Sequence, residues 1–549
     1  GAETVLCGMA ALITLLWVVG SGLLPWRAHV RERLAPTPPR GPVPHPNTTS
    51  VSLLRVEQPV DHFAASDTRT WHQRVFVRRE WFDAVGRRGP VFVCVGGEGP
   101  PFDATVLVAS VHCNDAVELA PVAGALLIAI EHRFYGPSPA DRPLPSFSTS
   151  ELRVLSSSQA VEDLTRARAA VARALNVPQA ARWVTFGGSY PGLMAGYARL
   201  KLPHLFHAAV SSSAPWRAVV DMPQYNNVVA AALANEAVGG SPACAEAVRE
   251  GHTHILARLN SATASRRDLE VEFNFCSKGA LEDRPTALAW AGDGVISVPA
   301  QSNDPSCTDP ACDIRAVCGM LLGTAHPLAA PTPSRKHARD DGPIHDSVAM
   351  PPLQPQLPLR APTPDERVRA LARVSRAQRG GECIATEAVD PEAAMAELLN
   401  TSSSTRAWPY QTCAEFGFFQ TCEVGSACPF ARGAVRLEES FRMCERAFGM
   451  NRSHVEAHVA ATNARYGGVA PGASRVLHVN GDVDPWSALG VLESPGPAQP
   501  VHVAPGASHH AWTHPADTVV QEAVRVAKRV VWEHVQRWAG GRDSLLPAS

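Results

Sequence analysis

The segment Gly187-Gly188-Ser189-Tyr190-Pro191-Gly192 joins an apolar, strand-like run from Trp183 to Phe186 to a helix-like run from Leu193 to Lys201. A strand that turns sharply into a helix at such a sequence holds the serine hydroxyl clear of the sheet. Small neighbours are needed because the backbone passes close to itself there. The segment constrains the chain to alternating strands and helices and makes Ser189 a candidate nucleophile. Glycine-rich serine loops are common, so it gains weight only from the polar residues that follow along the chain.

Two later clusters supply those residues. Arg475 to Val479 reads as a strand entering the turn Asn480-Gly481-Asp482-Val483-Asp484-Pro485-Trp486, and Pro500 to Ala504 as a second strand leading into Gly506-Ala507-Ser508-His509-His510. The segment from Asp517 to Trp538 predicts a closing helix, with Val520, Val524, Ala527, Val531, Val535 and Trp538 on one stripe. Serine after a middle strand, an acid after a late strand and a histidine before the last helix is the chain order of the α/β-hydrolase fold. Upstream, Arg74 to Val77, Val91 to Val95 and Ala125 to Ile130 read as strands, and Ser157 to Leu175 as an amphipathic helix. The expected fold is therefore α/β, with a mostly parallel sheet and helical crossovers.

At 549 residues the chain is too long for one core. The expected organisation is a hydrolase domain in two parts, residues 50–219 and 470–540, with a mainly helical, disulfide-bonded cap over 220–469 inserted before the late strands. Within the cap, Ala325 to Pro364 contains ten prolines and few large apolar residues, and it reads as disordered. Residues 27–49 form a proline-rich leader and 541–549 a tail. In residues 1–26 the run Met9 to Leu24 has 16 residues without a charge, which suits a signal-peptide core and is short for a membrane span. Arg27, Arg31 and Arg33 follow that run rather than precede it, so a signal anchor is the alternative.

Of 13 cysteines, Cys7 lies in the signal segment, and the even remainder clusters mostly between Cys244 and Cys444. The spacings Cys307/Cys312/Cys318 and Cys413/Cys422/Cys428 lack a histidine pair at ligand distance, so disulfides are expected and no metal or other cofactor. Their pairing is not legible from spacing. Asn47, Asn400 and Asn451 stand in glycosylation sequons, which matter if the chain enters the secretory pathway. With a formal charge of −2 and dispersed Lys and Arg, nothing points to nucleic acid.

Several motifs occur together and in order: Asp61-His62-Phe63, Gly96-Gly97-Glu98-Gly99, Glu131-His132-Arg133-Phe134-Tyr135-Gly136, Gly187-Gly188-Ser189-Tyr190, Ser211-Ser212-Ser213-Ala214-Pro215 and the turn ending Asp484-Pro485-Trp486. In this the chain resembles the serine peptidases that include lysosomal Pro-Xaa carboxypeptidase and dipeptidyl peptidase II. The stretch from Tyr410 to Phe418, with Cys422 and Cys428-Pro429-Phe430, is most similar to the thymus-specific branch of that family. The resemblance spans roughly residues 50–320 and 405–540.

The resemblance implies a triad of Ser189, Asp484 and His509. Asp484 rather than Asp482 is matched because it directly precedes Pro485-Trp486, and the interval of 25 residues favours His509 over His510 and His514. It places the oxyanion donors at the N–H groups of Tyr190 and Gly97, and substrate contacts at Glu98 and Trp486. It implies cleavage of short peptides near a terminus, with a preference for proline, in a lysosome or endosome or after secretion, including peptides for presentation to T cells. Peptides are then the partners, with no stable membrane association once the signal is cleaved and a homodimer as the assembly to test. An esterase on the same fold and a catalytically weak binding protein are the alternatives. Pro191 stands where the family has a small residue. Proline suits the first turn of a helix but biases the residue before it, Tyr190, away from the α region, so a tension is expected at the proposed oxyanion donor.

Overall fold

The computed structural model describes residues 48–324, 361–518 and 520–540. The signal or anchor segment, Asn47 and nearly all of the leader, the tail and the proline-rich stretch up to residue 360 lie outside the described residues.

The central strands are β3 (Val91–Val95) and β4 (Leu126–Ile130), buried at every position, as expected of strands covered by helices on both faces. Around them run β1 (Val51–Pro59), β2 (Thr70–Arg78), β5 (Trp183–Gly188), β6 (Ala208–Ser212), β9 (Val476–Gly481) and β10 (Val501–Ala504). Their spatial order is β1-β2-β4-β3-β5-β6-β9-β10. The pairings of β1 with β2 and of β2 with β4 are antiparallel, and all others in this sheet are parallel. This is the α/β-hydrolase sheet, with the loop after β5 near its middle. The nine-residue hairpin partner β1 was not apparent in the sequence, where Val51 to Pro59 mixes charged and apolar residues.

Between β6 and β9 the chain leaves the sheet for a mainly helical layer. Its helices include Pro223–Ala234, Pro242–Leu259, Arg284–Gly292, Pro364–Gln378 and Arg452–Tyr466, with one short parallel pair, β7 (Val219–Asp221) with β8 (Gly417–Phe419). Disulfides hold this layer together: Cys244–Cys318, Cys276–Cys383, Cys307–Cys312, Cys413–Cys444 and Cys422–Cys428. A sixth, Cys94–Cys113, ties β3 to the start of the helix Asn114–Ala123. The expectation of disulfides over zinc is met. Bridging residues 107 apart restricts the unfolded chain by an amount worth about 5 kcal/mol on loop-closure arguments.

Two boundaries differ from expectation. The closing helix begins at Glu522 rather than Asp517, because Ala516–Thr518 forms a separate turn in which the Thr518 N–H donates to the Pro515 carbonyl. Val520 is accordingly 52% exposed, while Val524, Ala527, Val531 and Val535 are buried against the sheet. At the other boundary, Pro364 does not end a disordered stretch but opens a helix. Thr363 and Glu366 form a reciprocal capping box, and proline fits the first helical position, where no N–H partner is needed.

Candidate active site

Ser189 sits at the point where β5 ends and the helix Tyr190–Lys201 begins, at φ 66° and ψ −135°. A non-glycine residue in this region is strained and needs support from its surroundings. The Ser189 N–H donates to the Ser212 carbonyl at 2.9 Å, and the Ser189 carbonyl accepts from the Gly192 and Leu193 N–H groups at 2.9 and 3.1 Å. The neighbouring Gly188 is obligatory for space, since a Cβ there would lie 2.8 Å from Cγ of His510. The serine is only 4% exposed, beneath the helical layer.

Asp484 follows β9 and is fully buried. Its Oδ1 accepts the Trp486 main-chain N–H at 3.0 Å, and its Oδ2 lies 2.8 Å from Nδ1 of His509. That contact places the imidazole proton on Nδ1 and leaves Nε2 as an acceptor. Nε2 is buried and has no hydrogen-bond partner among the described residues. Catalytic hydrogen bonds often close only once substrate is bound, so an open Nε2 is compatible with general-base work. The His509 ring lies 4.5 Å from that of His510, which packs on Gly188, the neighbour of Ser189. Asp482, by contrast, is exposed and spends its carboxylate on the Gly506 N–H at 2.6 Å. His510 donates its main-chain N–H to Oγ of Ser213 and packs its ring on Gly188, while the ring of His514 lies 5.9 Å from that of His510. Of the three histidines, His509 is the one whose ring nitrogen is hydrogen-bonded to Asp484 at 2.8 Å.

The N–H groups of Tyr190 and Gly97 donate to no protein acceptor among the described residues. Glu98 is buried in the same loop, near enough for its charge to act on both His132 and Tyr190. Trp486 is buried with its ring centroid 6.3 Å from that of His509. From there aromatic contacts run through Phe418 at 5.4 Å and Phe416 at 5.5 Å to Tyr190 at 5.6 Å, with Trp408 also 5.5 Å from Tyr190. An aromatic arc from the helical layer thus spans the distance between the residue after the serine and the histidine. Its backbone is irregular: Thr412–Phe416 is a π-helical turn, and Gly417 and Phe418 both have positive φ. Such turns recur at functional sites.

Two further side chains join the layers, and the sequence reading assigned neither of them a role. The Gln301 carbonyl accepts the His509 N–H at 3.0 Å, while its side-chain oxygen accepts the Trp486 indole at 2.8 Å and the Tyr225 hydroxyl at 2.9 Å. Gln411 donates to the Tyr190 hydroxyl at 2.9 Å and accepts from the Tyr135 hydroxyl at 2.6 Å. Gln411 falls inside the Tyr410 to Phe418 stretch that carried the family resemblance, whereas Gln301 sits in a loop with no local signal. Among the described residues, no group of three or more His, Cys, Asp or Glu side chains could hold a metal ion. Asn400 and Asn451 are exposed, and Asn451 uses its side-chain oxygen to cap the helix Arg452–Tyr466.

The family model described as serine carboxypeptidase S28 matches residues 58–333 and 364–531. The chain is similar to thymus-specific serine protease of Mus musculus, with 36% identity over 492 residues covering 88% of this chain and 86% of that protein. To the Homo sapiens protein of that name it is 34% identical over the same shares. It is also similar to lysosomal Pro-X carboxypeptidase of Mus musculus, at 24% identity over 90% of this chain and 91% of that one.

Proposed function

This chain belongs to the serine carboxypeptidase S28 family and is a serine-type peptidase acting on peptides, and from that premise we propose that it is an exopeptidase working through Ser189, His509 and Asp484. The observation that carries this reading is the buried Asp484–His509 contact, which leaves Nε2 open, together with the strained turn that holds Ser189 at the end of β5. As Oγ of Ser189 attacks the scissile carbonyl, Nε2 of His509 takes its proton and then passes it to the leaving amine. Asp484 holds the ring in the required tautomer and stabilises the imidazolium. The resulting ester on Ser189 is released by water, with His509 again as base.

Negative charge on the tetrahedral oxygen is met by the N–H groups of Tyr190 and Gly97, each worth about 3 to 4 kcal/mol of transition-state stabilisation. The aromatic arc through Phe416, Phe418 and Trp486 supports a preference for proline, whose flat, apolar ring packs well against aromatic faces. Coverage by the helical layer supports short substrates cut near a terminus. Glu98, buried beside the Gly97 loop, is suited to hold a substrate amino terminus. The lysosomal relative supports a secretory route to an endosomal or lysosomal compartment, and the trimming of peptides for presentation to T cells is part of the same proposal.

The test is to incubate the purified chain and Ser189→Ala with X-Pro-X peptides and a simple acyl ester at pH 5 and 7, with mass analysis of the products. Labelling of Ser189 by a fluorophosphonate probe and Ser189-dependent peptide cleavage are expected. Ester turnover without peptide turnover would instead identify an esterase. A folded chain that neither labels nor cleaves would sink the reading.

A further inference from the structure

Resting on the serine-peptidase reading, we infer that Pro191 is a positioning residue: its ring sets the spacing between the two N–H groups that receive the oxyanion. Tyr190 is the first residue of the helix despite the bias that proline imposes on the residue before it, so the expected tension is present and is overcome by the local hydrogen bonds. The Gly192 and Leu193 N–H groups close onto the Ser189 carbonyl across it. Pro191 occupies the second helical position, where an N–H would find no helical partner.

The ring also has a contact to make. A Cβ added at Gly97 would lie 2.4 Å from Cγ and 2.6 Å from Cδ of Pro191, so the Gly97 backbone lies flush on the pyrrolidine. On its other side the same loop is anchored to β4, through the Gly96 N–H donating to the Ile130 carbonyl at 2.8 Å. Just beyond β4, His132 receives the Tyr190 hydroxyl at Nε2, 2.9 Å away, while its Nδ1 donates to the Arg133 carbonyl at 2.8 Å. Gln411 donates to the same tyrosine oxygen, so the phenol is held from both sides. Burial pushes the His132 ring down to about 4, so it stays a neutral acceptor across the mildly acidic range.

The contacts close a circuit: the end of β4 to Gly96, Gly97 to Pro191, Pro191 to Tyr190 by the chain itself, and Tyr190 through His132 back to the end of β4. Each donor is thereby fixed relative to the other before substrate arrives. Fixed donors at a developing oxyanion act on the transition state rather than on substrate binding. A smaller residue at position 191 would break the circuit at its one contact made purely by packing.

The experiment compares the full chain with Pro191→Gly, Pro191→Ala, Gly97→Ala and the Pro191→Gly/Gly97→Ala double variant. It measures kcat and KM on the best cleaved peptide, affinity for a peptidyl boronate that mimics the tetrahedral state, and Tm. For Pro191→Gly the expected result is a fall of about 10-fold in kcat, a matching loss of boronate affinity and a KM within about twofold of the parent. Pro191→Ala keeps the Cβ but loses the atoms that meet Gly97, and it should fall in the same direction; it also serves should Pro191→Gly fail to fold. The double variant should be no slower than the slower single variant, because both substitutions act on one contact. Unchanged or raised kcat in the Pro191 variants, a change confined to KM or Tm, or multiplying effects in the double variant would overturn the inference while leaving the peptidase reading intact. A parent chain without Ser189-dependent turnover overturns both.

Discussion

His132 offers a direct test of how burial sets the response of the site to acid. The ring is 4% exposed and wedged between the Tyr190 hydroxyl and the Arg133 carbonyl, and burial lowers its pKa from the ordinary 6.5 to about 4. Above pH 6.5 the ring is neutral in both the folded and the unfolded chain and contributes its full share. As pH falls below 6.5 the unfolded chain takes up a proton that the folded chain refuses. Stability is therefore lost until the folded ring also titrates, near 4. One pH unit is worth 1.36 kcal/mol, so the gap corresponds to about 3 kcal/mol lost between pH 6.5 and 4. His132→Gln removes the titration while offering an acceptor to Tyr190 from nearly the same place. It should be less stable than the parent at pH 7.5 through poorer packing, and the deficit should shrink by about 3 kcal/mol by pH 4. Urea unfolding followed by tryptophan fluorescence at several pH values, with disulfides intact, measures this. The other buried histidines pushed down to about 4, such as His252 and His478, are common to both proteins and cancel in the comparison. Unfolding free energies of parent and variant that run parallel from pH 7.5 to 4 would refute the reasoning.

Other perturbations probe the same framework. Tyr190→Phe orphans an acceptor on His132 and a donor on Gln411, both buried, and should cost about 2 to 4 kcal/mol in the same unfolding assay. Gln301→Met keeps the carbonyl that receives the His509 N–H but removes the acceptor for Trp486 and Tyr225. Peptide kinetics should show kcat/KM reduced about 10-fold, and an unchanged value would remove Gln301 from the support of the site. Arg133 is fully buried, paired at 2.7 Å with both oxygens of Asp163, which also meets His62 at 2.7 Å. Arg133→Met removes the permanent cation from that buried carboxylate, leaving it His62 alone, and should lower stability by about 3 to 5 kcal/mol, seen as a large drop in Tm.

The sheet was largely legible in the sequence because its central strands are short, largely apolar runs that end in glycine turns, as at Val91 to Val95 and Trp183 to Phe186. The candidate triad was legible because each member lies at the end of such a run, where local sequence reports position in the fold. What escaped was the contribution of the helical layer. Gln301 meets Trp486 across 185 positions and Gln411 meets Tyr190 across 221, and no periodicity or turn chemistry near either glutamine marks a contact at that distance. Pro191 shows the limit from the other direction. Backbone preference alone predicted a conflict with Tyr190, and only the neighbouring Gly97 loop, brought in from β3, shows what the ring packs against.

The order of strands in the sheet has a consequence for how the chain is made. β9 and β10 pair beside β6, yet they are synthesised after the whole helical layer, and His509 emerges later still. A nascent chain with the serine turn already translated still lacks the proposed acid and base and the last two strands that would hold them. On the proposed triad, such a chain cannot cleave its neighbours while it is being extruded and its disulfides are forming. On that triad, hydrolytic competence arrives only once His509 has been translated, a latency written into the connectivity.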